Sequence, residues 1–173
     1  MAFYDHSFYG HFVPLAFMKG LVINMTRQEA RELAVRLAFE ISGSTTGAEE
    51  ILEHFFDREY FESLSEEDEL FKQFPDDNSR AYIERVIRGV DEHNMELDEY
   101  VMKYAKGWKF ERISRTALAV MKVCMFETLY MPDVPVGASV NSAIELAKKY
   151  DEQDTVAFVN GILGSFVREE VKR

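Results

Sequence analysis

The chain has 173 residues, 47% of them hydrophobic and 13% aromatic, enough to bury one sizeable core and to exclude general disorder. A single cysteine, Cys124, excludes a disulfide framework and a cysteine-rich zinc site. The formal net charge of −11 argues against a protein that coats nucleic acid through bulk charge.

That charge is local. Residues 49–77 carry twelve acidic side chains against only Arg58 and Lys72, which accounts for −10 of the total and leaves the remainder almost neutral. The stretch lacks the glycine-containing pattern of a calcium loop and reads as a solvated strip.

Residues 1–24 form an N-terminal arm with Phe3, Tyr4, Phe8, Tyr9, Phe12 and Phe17 but no sustained period, and no function is assigned to it. No positively charged segment precedes an apolar run, and the uncharged run from Ser7 to Met18 is too short to cross a bilayer. A cytoplasmic protein is expected.

From Thr26 onward the apolar residues recur at helical spacing. Thr26 and Glu29 form a candidate capping box ahead of Ala30, Leu33, Ala34, Leu37 and Ile41, with Gly43 at the stop. Thr46 and Glu49 offer a second box before Ile51, Leu52, Phe55 and Phe56. The charged stretch from Ser63 to Asp77 reads as a loop with room for one helical turn. Asn78 is a candidate cap for a third helix carrying Ile83, Val86, Ile87 and Val90, and Asn94 for a fourth carrying Leu97 and Val101.

A fifth helix starts near Ser114 and turns Ala117, Val120, Met121 and Cys124 inward. Pro135 suits the first position of a sixth, in which Ser139, Ala143 and Ala147 make a small-residue stripe for close helix approach. The last carries Phe158, Val159, Ile162, Leu163 and Phe166. Nothing alternates like a strand. The expected fold class is all-α, a bundle of about seven helices.

No catalytic constellation emerges. His6, His11, His54 and His93 are scattered, no glycine-rich loop follows a strand, and Cys124 lies on an apolar helix face where an inert thiol is the natural reading. The expectation is a protein without enzymatic activity, metal or cofactor.

Three stretches are more specific than a generic bundle. They are TRQEARELAVRLAF from Thr26, the run from Trp108 to Glu127, and DVP from Asp133 with SVNSAIELAKKY from Ser139 and FVNGIL from Phe158. Together they resemble, from about residue 26 to 167, the NusB family of bacterial transcription antitermination factors. The resemblance implies a NusB-like bundle in two helical subdomains, with residues 25–173 as the RNA-binding domain. It also implies partnership with NusE, a small-subunit ribosomal protein, on a single-stranded boxA RNA element within the transcription elongation complex. That role supports processive transcription of ribosomal RNA operons.

Carried over residue by residue, the resemblance assigns RNA contacts to Arg27, Arg31 and Arg36 on the first helix, to Lys122, and to Asp154 and Phe158 at the start of the last. Glu111 falls in the region that meets NusE. Single-stranded RNA asks for cations along its phosphates and exposed rings for its bases. Plainer readings stand beside these. Glu29, Glu32 and Glu40 are placed to pair the arginines on a solvated face, Lys122 has the length to snorkel, and Phe158 suits core packing. Four departures are visible: Arg36 replaces a usual Gln, Gln28 and Glu29 replace basic residues, Lys122 replaces Arg, and Ser142 replaces Glu. Gly161 in mid-helix costs about 1 kcal/mol, which predicts a close backbone contact there.

Overall fold

The computed structural model describes residues 24–171. Residues 1–23 lie outside that range, and with them all but the last residue of the expected arm. Among the described residues there are eight α-helices and no strand: α1 (Arg27–Ile41), α2 (Ala48–Phe55), α3 (Arg58–Ser63), α4 (Asp77–Glu92), α5 (Asn94–Tyr104), α6 (Arg115–Tyr130), α7 (Val136–Tyr150) and α8 (Gln153–Glu170).

The extra helix relative to the sequence expectation is α3. Asp57 starts it by accepting the Tyr60 amide at 2.8 Å, a local signal that the dense charge around it had obscured. Phe61 of α3 is fully buried in an edge-to-face cluster with Phe55, Phe71 and Phe74, so aromatic packing fixes this short helix. Beyond it the expected loop contains two 3-10 turns, Leu64–Glu66 and Glu69–Phe71.

The capping box of α1 forms as expected. Thr26 Oγ1 accepts the Glu29 amide at 3.2 Å, and Glu29 Oε2 accepts the Thr26 amide at 2.7 Å. The box expected at Thr46 does not form. Gly47 is the cap residue, and the free Ala48 amide goes to Asp91 Oδ2 at 3.1 Å, across from α4. Asp76, rather than Asn78, caps α4 through the amides of Asn78 and Ser79. Asn94 is the first residue of α5 rather than its cap, and Pro135 stands one residue before α7.

Helix α6 is the axle. It packs on α1 and α4 and on α5, α7 and α8, so the N-terminal and C-terminal helices share it. Eleven consecutive residues from Ala117 to Glu127 are buried, including two charges, Lys122 and Glu127. The stripe of Ser139, Ala143 and Ala147 is buried and lets α7 lie close against α6. Gly89 on α4 is required by contact, since a Cβ there would fall 1.9 Å from the Phe126 ring. Gly161 has no such reason. Nothing outside its own helix backbone comes within 4 Å of a Cβ placed there, which corrects the close contact predicted from sequence.

Candidate nucleic-acid interface

The buried charge on α6 redraws the expected basic track. Arg31 is only 4% exposed, and its Nε donates to both oxygens of the fully buried Glu127, at 3.0 and 2.9 Å. Its Nη1 donates to Ser142 Oγ at 2.8 Å, so the serine that replaces the usual glutamate belongs to this network. Glu127 also accepts from Tyr82 at 2.7 Å and from Ser139. Burial alone would lower the Arg31 guanidinium, but the bonds to Glu127 and the nearby Tyr82 hold it above its ordinary range. Arg31 therefore forms an interior ion pair, where the sequence expectation had it as a phosphate contact.

Lys122, the expected RNA contact on α6, is committed in a similar way. It is buried, donates to Asn94 Oδ1 at 2.7 Å and lies 2.7 Å from Asp98 Oδ1, an ion pair without hydrogen-bond alignment. This lysine ties α6 to α5. Arg36 is half-buried between Glu32 and Asp68 and donates to the Tyr150 hydroxyl at 2.8 Å. Asp68 belongs to the acidic strip, so strip and expected track touch at this point. Burial works against the charge on Glu32, yet hydrogen bonds from Lys149, Tyr150 and Arg36 hold its carboxyl below the ordinary range.

Arg27 is the one expected arginine left exposed without a carboxylate partner among the described residues; its guanidinium lies over the Tyr82 ring at 4.4 Å. Asp154 is exposed in the first turn of α8, and Phe158 is half-buried one turn later. Glu111 is exposed on the 3-10 turn Phe110–Arg112 between α5 and α6.

That turn carries what the sequence reading missed. Of the seventeen described lysines and arginines, eleven are ion-paired to carboxylates. Four of the remaining six, Lys106, Lys109, Arg112 and Arg115, fall within ten residues and are exposed. Between them stands Trp108, 57% exposed, with its ring centroid 4.7 Å from that of Phe158. Arg115 covers the exposed Phe39 ring at 4.2 Å and donates to the Phe39 carbonyl at 3.0 Å. The signal was visible in KGWKFERISR from Lys106, where cations recur every third residue around the lone tryptophan.

The segment is held firmly. Gly107 takes φ +83°, a left-handed turn suited to glycine, and the Trp108 amide returns to the Ala105 carbonyl at 3.0 Å. Ile113 is buried, and Ser114 caps α6 while donating to Asp151 Oδ2 at 3.0 Å. The result is a shallow cleft of about 70 Å³ walled by Trp108, Arg112, Asp154 and Phe158.

The model of the NusB family matches residues 28–168. The chain belongs to the NusB family. Its relatives include the transcription antitermination protein NusB of Clostridium botulinum, 36% identical over 143 residues, or 83% of this chain and all of that one. NusB of Clostridium acetobutylicum is 32% identical over 86% of this chain and all of its own. Among solved structures, T. maritima NusB superposes with a TM-score of 0.61 at 26% identity, covering 85% of this chain and 94% of that one. The solution structure of NusB from Aquifex aeolicus, at 18% identity and a TM-score of 0.56, shares the fold. This family member is thus an all-helical protein of the transcription antitermination class.

Cys124 is buried, which pushes its thiol up to about 12, outside the range of a reactive thiolate. Among the described residues no group of three or more His, Cys, Asp or Glu is placed to hold a metal, and no helix is long and apolar enough to cross a membrane.

Proposed function

We propose that this NusB-family chain, through residues 25–173, binds single-stranded boxA-type RNA together with a NusE-type ribosomal protein. In the cytoplasm it would thereby join the elongation complex and support processive transcription of ribosomal RNA operons. The observation that carries the reading is the cluster of cations without carboxylate partners at 106–115, set beside the exposed rings of Trp108 and Phe39. Phosphates need uncommitted cations and unpaired bases need rings, and this surface offers cations from 106–115 with Trp108 among them and Phe39 of α1 beneath Arg115. Arg27, Asp154 and Phe158 remain candidate RNA contacts, and Glu111 a candidate NusE contact. The protein binds and positions its partners and performs no chemistry on them.

A second reading, a protein-interaction module of the same fold without RNA recognition, is favoured by one observation. Arg31, Arg36 and Lys122, half of the RNA contacts expected from sequence, are committed to carboxylates. Fluorescence anisotropy of a labelled boxA-type RNA, with and without the NusE-type protein, separates the two. Three or four phosphate contacts to a single strand give a slope of about −2 to −3 in log affinity against log salt. Absence of binding in both mixtures at low salt refutes the RNA role and leaves the second reading.

A further inference from the structure

We propose that Trp108, braced by Phe158, is the stacking face for one unpaired RNA base, with Lys106, Lys109 and Arg112 as the phosphate contacts on either side of it. The inference rests on the RNA reading above and assigns it a residue and a site.

A tryptophan more than half exposed on a protein that buries Phe61, Phe166 and forty other apolar residues calls for an occupant. Mobility does not account for it. The Gly107 turn, the amide bond to Ala105, the 3-10 turn and buried Ile113 fix the backbone on both sides. The indole is presented, and its inner side leans on Phe158 at an interplanar angle of 50°. The cleft between them has room for a few water molecules rather than a nucleotide, so a base would lie against the exposed indole face instead of entering.

Charge identifies which part of the RNA sits where. Asp154 forms one wall of the cleft and, as a carboxylate, accepts hydrogen bonds only. It repels phosphate and favours the N–H edge of a base. Lys106, Lys109 and Arg112 lie within four residues of Trp108 and have no ion-pair partner among the described residues, so binding phosphate costs them no existing bond. On a protein whose other cations are mostly neutralised, they mark where a polyanion can lie. A protein partner with an apolar plug would also cover Trp108, but it gives no use to three uncommitted cations within four residues of it in the chain.

Trp108 is the only tryptophan in the chain, so its emission reports on this surface alone. Full-length protein should be titrated with boxA-type RNA, with and without the NusE-type protein, reading anisotropy of the RNA and emission excited at the red edge of indole absorption. The expected result is that RNA quenches Trp108 and that Trp108→Ala weakens RNA binding roughly 5- to 150-fold at unchanged thermal midpoint. Trp108→Phe should retain most of the affinity. If Trp108→Ala does not fold, the triple variant K106A/K109A/R112A carries the test by flattening the salt slope by about 2.

RNA binding with unchanged emission and a Trp108→Ala variant of wild-type affinity overturns the stacking site while leaving the RNA role intact. Absence of RNA binding in every mixture overturns both. Quenching by the NusE-type protein alone, with loss of that partner but not of RNA in Trp108→Ala, assigns the face to protein and overturns the proposal.

Discussion

Arg31→Ala separates an interior ion pair from a surface phosphate contact more sharply than any other substitution. In the wild type the guanidinium satisfies both oxygens of a carboxylate that has no access to solvent. Removing it leaves the Glu127 charge with only the hydroxyls of Tyr82 and Ser139. Breaking a buried pair from one side costs about 3–5 kcal/mol. The two remaining donors place this case near the lower end, at about 3 kcal/mol. In a domain of this size that lowers the thermal midpoint by roughly 6–12 °C. Thermal and urea melts monitored by circular dichroism measure it. The double variant Arg31→Met, Glu127→Gln should recover much of the loss, because no charge is then left buried while Tyr82 and Ser139 keep an acceptor. An Arg31→Ala protein that melts within about 2 °C of wild type yet binds RNA more weakly would refute the interior assignment.

Two further outcomes follow from the same structure. Gly161→Ala should stabilise by about 0.5–1 kcal/mol in urea melts, since the position is helical, exposed and open to a Cβ; destabilisation would restore the close contact that sequence suggested. Acid should weaken the fold through Glu32 and Asp68. Glu32 is held below its ordinary 4.5 against its own burial by the Lys149, Tyr150 and Arg36 bonds, and Asp68 below 3.8 by the Leu70 amide and Arg36. A carboxylate whose folded value lies below its unfolded one contributes stability above the unfolded value and loses it as pH falls through the folded one. Stability measured by urea melts should therefore decline below about pH 4.5, and Glu32→Gln should flatten that decline.

The helical periods were legible because burial at every third or fourth residue is a local property, and from Ala30 to Ile41 or Ile83 to Val90 the pattern and the core agree. Partnerships were not legible, because they are not local. Glu127 lies 96 residues from Arg31, and nothing near either one announces the other. A hint existed in the carboxylate following Met125 and Phe126 in an otherwise apolar run, since a charge buried there demands a cation from elsewhere. Arg27 and Arg31 stand four apart on α1, yet that one turn separates an exposed cation from a buried one. Caps failed where a distant side chain supplied the acceptor: α2 starts one residue later than the Thr46–Glu49 box implied, and Asp91 takes its first free amide, that of Ala48. The 106–115 segment was readable in composition; only the structure set it against Phe158.

Net charge then acquires a different meaning. A total of −11 is not spread evenly over the cations; it is spent on particular ones. Glu49 takes Arg88, Glu62 takes Arg58, Glu69 takes Lys72 and Asp68 takes Arg36, so the acidic strip neutralises neighbours that would otherwise compete for a polyanion. The exposed ones among them, Glu49–Arg88, Glu62–Arg58 and Glu69–Lys72, add little stability. Their effect on binding is larger, because a cation already paired must give up its carboxylate before it can hold a phosphate. With most cations so engaged, what remains is a short positive segment at 106–115 with Arg27 and Arg168 elsewhere. An acidic protein so arranged leaves a polyanion few uncommitted cations to meet and a repulsive surface around them, which limits nonspecific coating and makes any such affinity depend on a few contacts.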